Sequence, residues 1–314
     1  MLRKLNPNRV PNQPRNNRDA SSSAYLDSGF ARTASTHHPT TYAPTMTPST
    51  KRSGLTALIT GGSVGIGLEL AKQFASHGHD LILSARHRDA LEAAAGAIRE
   101  KYGVEVTVIA EDLTDPNATQ RLYDAVLAAE LDVHFLVNNA GFGLGGAFAD
   151  TDASRELGMI QVNVSALTHL TKLFLPAMIK RNSGRILNVA STAAFQPGPL
   201  MSVYFATKAY VLSFSQALDE ELRNTGVSVT CLCPGATDTQ FAKTAKVQNS
   251  RLFATVGIAK ADDVAKYGYD ALMRGERVAI HGLRNKIMIQ AERFAPRKLV
   301  TKFTRVAQEN RHHR

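Results

Sequence analysis

Tryptophan is missing from the 314-residue sequence, and cysteine occurs only twice, at Cys231 and Cys233. Two thiols one residue apart in a single apolar run make no ordinary disulfide and supply half of a four-ligand zinc site, so a disulfide-stapled module and a zinc module are excluded. No metal site is expected. Both cysteines are read as small buried residues of a core strand, which fits a reducing, cytoplasmic setting. No uninterrupted apolar run approaches the roughly 18 residues of a membrane-spanning helix, and none suits a secretory signal. An integral membrane protein is therefore not expected.

Acidic residues are scarce only at the ends. Residues 1–52 hold eight Lys/Arg against two acids and residues 284–314 nine against two, whereas the 231 residues between hold 20 against 23. A faintly acidic middle offers no basic face to nucleic acid, and no helix-turn-helix, zinc-finger or RNA-recognition signature is present. A nucleic-acid partner is not expected. Residues 1–52 are rich in Asn, Ser, Thr, Pro and Arg without helical or strand period, and read as a disordered basic tail. An organelle-targeting helix there is interrupted by Pro7, Pro11 and Pro14, and a translation start at Met46 is the plainer alternative.

From residue 55 onward, short Val/Ile/Leu-rich runs alternate with longer helical periods. Strands are expected at 55–60, 80–85, 104–110, 133–139, 185–191, 227–233 and 277–282. Helices are expected near 65–77, 88–101, 116–129, 152–181, 203–225 and 262–274. Strands apolar at nearly every position suit a sheet covered on both faces. The pattern predicts a Rossmann-type α/β fold, a doubly wound parallel seven-stranded sheet forming a single domain over residues 53–283.

Directly after the first strand come Gly61, Gly62, Ser63, Val64, Gly65, Ile66 and Gly67, followed by a helical period. Glycines let the chain turn tightly and let backbone approach a pyrophosphate, which the free N–H groups and dipole of a helix start attract. A tight strand-to-helix connection would leave the same letters, so the turn alone is a weak signal. The second strand ends in Ser84, Ala85, Arg86, His87 and Arg88, with no carboxylate. A carboxylate there would hold a ribose 2′-hydroxyl, whereas an arginine pairs with a 2′-phosphate. NADP(H) is accordingly favoured over NAD(H), with Arg86 as the clamp, while Arg88 reads more readily as a solvated arginine than as its helper. Asp112, after the third strand, is placed to meet the adenine edge.

The fifth strand ends at Ser191, and thirteen residues on, Tyr204 starts a helix that carries Lys208 one turn later. Positions i and i+4 share a helix face, so an ammonium at Lys208 would lower the tyrosine pKa from about 10 and make the phenol a usable acid or base. Ser191 would polarise a carbonyl oxygen. A hydride from a nicotinamide and a proton from Tyr204 would reduce a ketone or aldehyde.

Taken together, these motifs resemble the short-chain dehydrogenase/reductase family over residues 55–282. The resemblance matches residues 60–67 to the family's glycine turn. It matches Asn138, Asn139, Ala140 and Gly141 to the NNAG segment that closes the cofactor site, and Asn163 to the active-site asparagine supporting a proton-relay water. Ser191, Tyr204 and Lys208 complete the tetrad. Pro234 and Gly235 match the PG turn, and Thr239 the threonine at the nicotinamide carboxamide. The resemblance also implies that Lys208 holds the nicotinamide ribose and that the chain forms a homodimer or homotetramer through the helices bearing Asn163 and Tyr204. Within the family, the chain is similar to bacterial NADP-dependent members and to the 3-ketoacyl-CoA reductase and hydroxysteroid dehydrogenase branch, which implies a lipophilic carbonyl or alcohol as small-molecule substrate. Residues 197–201 and 240–258 are expected to line the substrate mouth. Other classes consistent with the fold are a nucleotide sensor without catalysis and a peripheral membrane scaffold.

Residues 284–314 extend beyond the family's minimum. They are expected to form two short helices broken at Pro296, with Ile287, Ile289, Phe294, Leu299, Val300, Phe303 and Val306 among basic residues. That pattern fits membrane-surface contact and, equally, packing on the subunit or its dimer mate.

Overall fold

The computed structural model describes residues 53–245, 247 and 258–309. The expected tail at 1–52 and most of the expected substrate mouth at 240–258 lie outside the described residues. Strands β1 (Thr56–Thr60), β2 (Asp80–Ala85), β3 (Val106–Ala110), β4 (Phe135–Asn138), β5 (Gly184–Val189), β6 (Val227–Cys233) and β7 (Val278–Ile280) form one parallel sheet in the order β3-β2-β1-β4-β5-β6-β7. All seven expected strands are present, trimmed by at most two residues at an end, with β5 beginning one residue earlier than expected.

Both faces of the sheet are covered, as its continuous apolar strands require. Side chains alternate between faces along a strand. Ala57 and Ile59 of β1 pack with Leu70 and Phe74 of α1 (Gly65–Ser76), with Leu91 and Ile98 of α2 (Arg88–Tyr102), and with the later helix Ala261–Met273. Leu58 turns the other way, toward Leu122 of α3 (Ala118–Ala128) and Leu170 and Phe174 of α5 (Leu167–Lys180). Sheet order reverses between β1 and β4, and the crevice outside the carboxyl ends of the strands at that point is where such sheets bind ligands.

The long helix expected at 152–181 is interrupted. It runs as α4 (Ala153–Ile160), a π-helical turn (Gln161–Ala166) and α5. By length and composition the 28-residue run Ala153–Lys180 could cross a membrane. Here its apolar side packs on the sheet. Helix α6 (Ser202–Glu221) carries the Tyr/Lys pair, and α7 is the short turn Phe241–Thr244. Next come α8 (Ala261–Met273), α9 (Leu283–Glu292) and α10 (Arg297–Gln308), the last two separated at Pro296 as expected.

At the start of β2, His79 is buried among Phe74, Phe135 and Tyr269 and hydrogen-bonded to Ser53 Oγ at 2.7 Å and Tyr269 Oη at 3.1 Å. Burial holds its pKa down at about 4. Between pH 4 and 6.5 the unfolded chain binds a proton that the folded chain refuses, so stability is full above pH 6.5 and is lost as pH falls through that window. Chemical denaturation at pH 7 and pH 4.5 should differ by roughly 2–3 kcal/mol more in the wild type than in His79→Asn; equal differences would show that His79 is not the titrating group.

Candidate active site

The glycine turn leaves β1 beside β4, and two side chains fasten them. Thr60 Oγ1 donates to the Val137 carbonyl and accepts from the Asn139 and Ala140 amides at 3.1 Å. Asn139 Nδ2 donates back to the Thr60 carbonyl at 2.9 Å and the Gly61 carbonyl at 3.3 Å. A side chain at Gly61 would stand 2.8 Å from Asn139 Nδ2, and one at Gly67 would collide with the Gly61 carbonyl and with Asn139. Gly61 and Gly65 also sit at φ +66° and +57°, where glycine is at ease. Helix α1 begins at Gly65 with no side chain capping it, so its first N–H groups are free for an anion. Gly61, Ser63, Gly65, Ile66 and Gly67 all line one cleft of about 920 Å³. A cradle closed to side chains and rich in free N–H groups fits a dinucleotide.

Arg86 and Asp112 line the same cleft. Arg86 is exposed, and among the described residues no carboxylate pairs with it; Arg88 instead turns to Glu92 at 3.7 Å and does not line the cleft. Asp112 accepts from the Thr114 amide and hydroxyl, which fixes the loop after β3. Asn138 departs from expectation. It is buried behind the cleft, donating to Thr171 Oγ1 at 3.1 Å and Asn188 Oδ1 at 2.9 Å. At the end of a strand, successive side chains point to opposite faces, and it is Asn139, with Ala140 and Gly141, that faces the cleft.

At the other end, Ser191, Tyr204 and Lys208 meet on the cleft with Pro234, Gly235 and Thr239. Ser191 Oγ caps a short 3₁₀ turn by accepting from the Ala193 amide at 3.1 Å, and the Thr192 amide ties this loop to the Pro234 carbonyl at 2.9 Å. Lys208 Nζ donates to the Val189 carbonyl at 2.8 Å and stands 5.8 Å from the Tyr204 ring centre. Asn163, in the π-helical turn, is 1% exposed and does not itself line the cleft. Its Oδ1 accepts from the Phe142 amide, and its Nδ2 donates to the Phe142 carbonyl and Thr207 Oγ1. A side chain at Gly141 would meet both Asn163 Oδ1 and Lys208 Nζ, which makes the asparagine a close neighbour of the lysine.

The expected lowering of the Tyr204 pKa by Lys208 is not what this geometry produces. Burial pushes the phenol up to about 12, with Ser191 pulling the other way, and burial brings Lys208 down to about 8. Desolvation disfavours both charged forms, and here it outweighs the opposing hydrogen bond from Ser191 to the phenol and the opposing influence of Cys231 and Cys233 on the ammonium. At neutral pH the phenol holds its proton, the state from which it donates.

The C-terminal helices also line the cleft, through Met288, Ala291, Val300, Phe303 and Thr304. Asn285 of α9 packs against Gly235, and Glu292, whose carboxyl is raised by burial, faces the Gln196 amide just beyond the 3₁₀ turn. The residues of α10 on the cleft, 300, 303, 304, 307 and 308, recur at helical spacing, a signal present in the sequence but readable only once the cleft is located.

A doubly wound parallel sheet with a closed glycine cradle at one end of its crevice and a Ser/Tyr/Lys cluster at the other defines a nucleotide-binding α/β protein of the Rossmann type. The short chain dehydrogenase family profile matches residues 55–250. The very-long-chain 3-oxoacyl-CoA reductase of Homo sapiens is 37% identical over 196 residues, covering 60% of this chain and 62% of the relative; that of Bos taurus is 37% identical over 193 residues, covering 60% and 61%. The chain thus spans about three fifths of the length of these relatives. Among solved structures, a short-chain dehydrogenase from Sphingobium yanoikuyae in complex with NADPH is 32% identical with a TM-score of 0.69, covering 82% of this chain and all of the other. One from Burkholderia phymatum in complex with NAD is 28% identical with a TM-score of 0.69, covering 82% and 97%. The chain belongs to the short-chain dehydrogenase family.

Replacing Tyr204 with Phe removes one hydroxyl from the cleft and leaves the glycine cradle untouched. Steady-state turnover should fall by about 10²–10⁴-fold while nucleotide affinity changes by less than about threefold; turnover within tenfold of wild type would remove Tyr204 from the chemistry.

Proposed function

We propose that the protein is an NADP(H)-dependent oxidoreductase that reduces a ketone on a lipophilic substrate, with a 3-oxoacyl thioester as the first class to try. The observation that carries this reading is the convergence of Ser191, Tyr204 and Lys208 on the cleft that the glycine cradle also lines. The names of the relatives support the thioester, and the apolar Met201, Phe205, Phe241 and Val300 around the cleft support a lipophile. When bound, the cofactor supplies a hydride to the carbonyl carbon. Ser191 donates a hydrogen bond to the carbonyl oxygen and stabilises the charge growing there. Tyr204 gives that oxygen its phenolic proton, so the C=O becomes CH–OH. Lys208 stabilises the phenolate left behind and holds the nicotinamide ribose, and Asn163 supports the water through which the phenol is reprotonated. Gly61, Ser63, Gly65, Ile66 and Gly67 hold the pyrophosphate, Asp112 the adenine edge, and Ala140, Gly141, Pro234, Gly235 and Thr239 enclose the nicotinamide end.

Arg86 is the clamp for a 2′-phosphate. Support comes from the acid-free end of β2, from the place of Arg86 on the cleft and from NADPH in one neighbour. Self-association through α4, α5 and α6 is supported by the exposed Phe148, Leu157 and Ile160. A reducing, cytoplasmic setting is supported by the buried thiols of Cys231 and Cys233, free at 3.8 Å separation.

Absorbance at 340 nm, followed with NADPH or NADH and a panel of 3-oxoacyl thioesters and bulky ketones, tests both parts. Wild type should consume NADPH in a substrate-dependent way, and Arg86→Ala should lose about 10–100-fold in NADPH affinity with NADH nearly unchanged. No consumption across the panel would overturn the reductase reading, and equal losses for the two cofactors would overturn the role of Arg86.

A further inference from the structure

Helices α9 and α10 line the cleft with one side and turn large apolar groups to water with another. On α9, Leu283 and Ile287 stand one turn apart and are followed by Phe294, which is 89% exposed. On α10, Leu299, Phe303 and Val306 recur at i, i+4 and i+7, with Phe303 74% exposed. At 100° per residue these three form a single stripe, and Lys298, Lys302 and Arg305 occupy the adjoining face. Across residues 283–309 seven Lys/Arg, all exposed, stand against Glu292 and Glu309. Met288 and Phe303 belong both to this exposed face and to the cleft lining.

An apolar surface of this extent beside so many cations needs a partner that answers both. A second copy of the same face would set cations against cations. Residues 1–52, with eight Lys/Arg against two acids, would do the same. A nucleic acid would answer the cations and leave the aliphatic Leu283, Ile287, Leu299 and Val306 in water. An anionic bilayer answers both, with headgroup charge for the Lys/Arg and an acyl boundary for the apolar stripe.

We propose that α9 and α10 seat the protein on an anionic membrane surface with the mouth of the cleft at the lipid boundary, so that a lipophilic carbonyl substrate enters from the bilayer. The entry route rests on the reductase reading. The seating does not, and it is measured without cofactor or substrate.

The test is co-sedimentation of the full chain with phosphatidylcholine vesicles, with and without about a third phosphatidylserine. Wild type should partition onto the anionic vesicles at least about tenfold better than onto the neutral ones, and less as salt rises. The triple variant Phe294→Ser, Leu299→Ser, Val306→Ser and the separate charge reversal Lys298→Glu, Lys302→Glu should each lose at least about tenfold of that binding. Both variants change only exposed side chains away from the cleft, so turnover of a short, water-soluble ketone should stay at wild-type level while turnover of a long-chain substrate carried in vesicles falls. Anionic-vesicle binding that both variants retain would assign it to residues 1–52 and overturn the proposal, as would no vesicle binding at all, or binding to a nucleic-acid duplex in its place. Vesicle binding lost in the variants with vesicle-borne turnover unchanged would overturn the entry route and keep the seating.

Discussion

The closure of the glycine turn against Asn139 is the contact on which the rest of the site depends. Thr60 and Asn139 are 79 residues apart in the chain, yet they exchange hydrogen bonds because β1 and β4 are neighbours at the point where the sheet order reverses. The amide of Asn139 satisfies two carbonyls of the turn, and the space it takes is the space that side chains at Gly61 and Gly67 would need. The turn therefore holds its shape before any ligand arrives, with the N–H groups of α1 already directed at the crevice. Preorganisation of this kind lowers the ordering cost of binding.

The chemical end obeys a different constraint. Tyr204 and Lys208 are buried on the same helix, and burial works against the charge of each. The result is a phenol that keeps its proton and an ammonium poised to lose one near pH 8, a resting arrangement suited to donating a proton in the proposed reduction. Lys208 is held by a backbone carbonyl of β5, so its position is fixed by the sheet and by the packing of α6 against it.

Much of this was legible in the residues. Strands that are covered on both faces must be apolar throughout, and the glycine turn, Ser191, Tyr204 and Lys208 follow such strands in an order that topology brings to one edge. Three features were not legible, each for a physical reason. Asn138 and Asn139 are adjacent and chemically identical; only the pleat at the end of β4 decides which faces the cleft and which the network of Thr171 and Asn188. The π-helical turn at Asn163 leaves no mark in a helical period, and the partner its side chain meets there, the Phe142 backbone, lies 21 residues earlier in the chain. The expected effect of Lys208 on Tyr204 follows from spacing alone, whereas the pKa follows from burial, which spacing does not report. The C-terminal helices were visible as amphipathic, but not that their inner faces wall the cleft.

Isotope transfer tests the central claim most directly. With NADPH carrying deuterium at C4 of the nicotinamide and a 3-oxoacyl thioester in ordinary water, the alcohol product is analysed by mass spectrometry. The account predicts deuterium on the carbinol carbon from the stereochemically correct cofactor isotopomer and an exchangeable proton on the oxygen. An alcohol without deuterium from either isotopomer, or deuterated nucleotide consumed without alcohol formation, would contradict it.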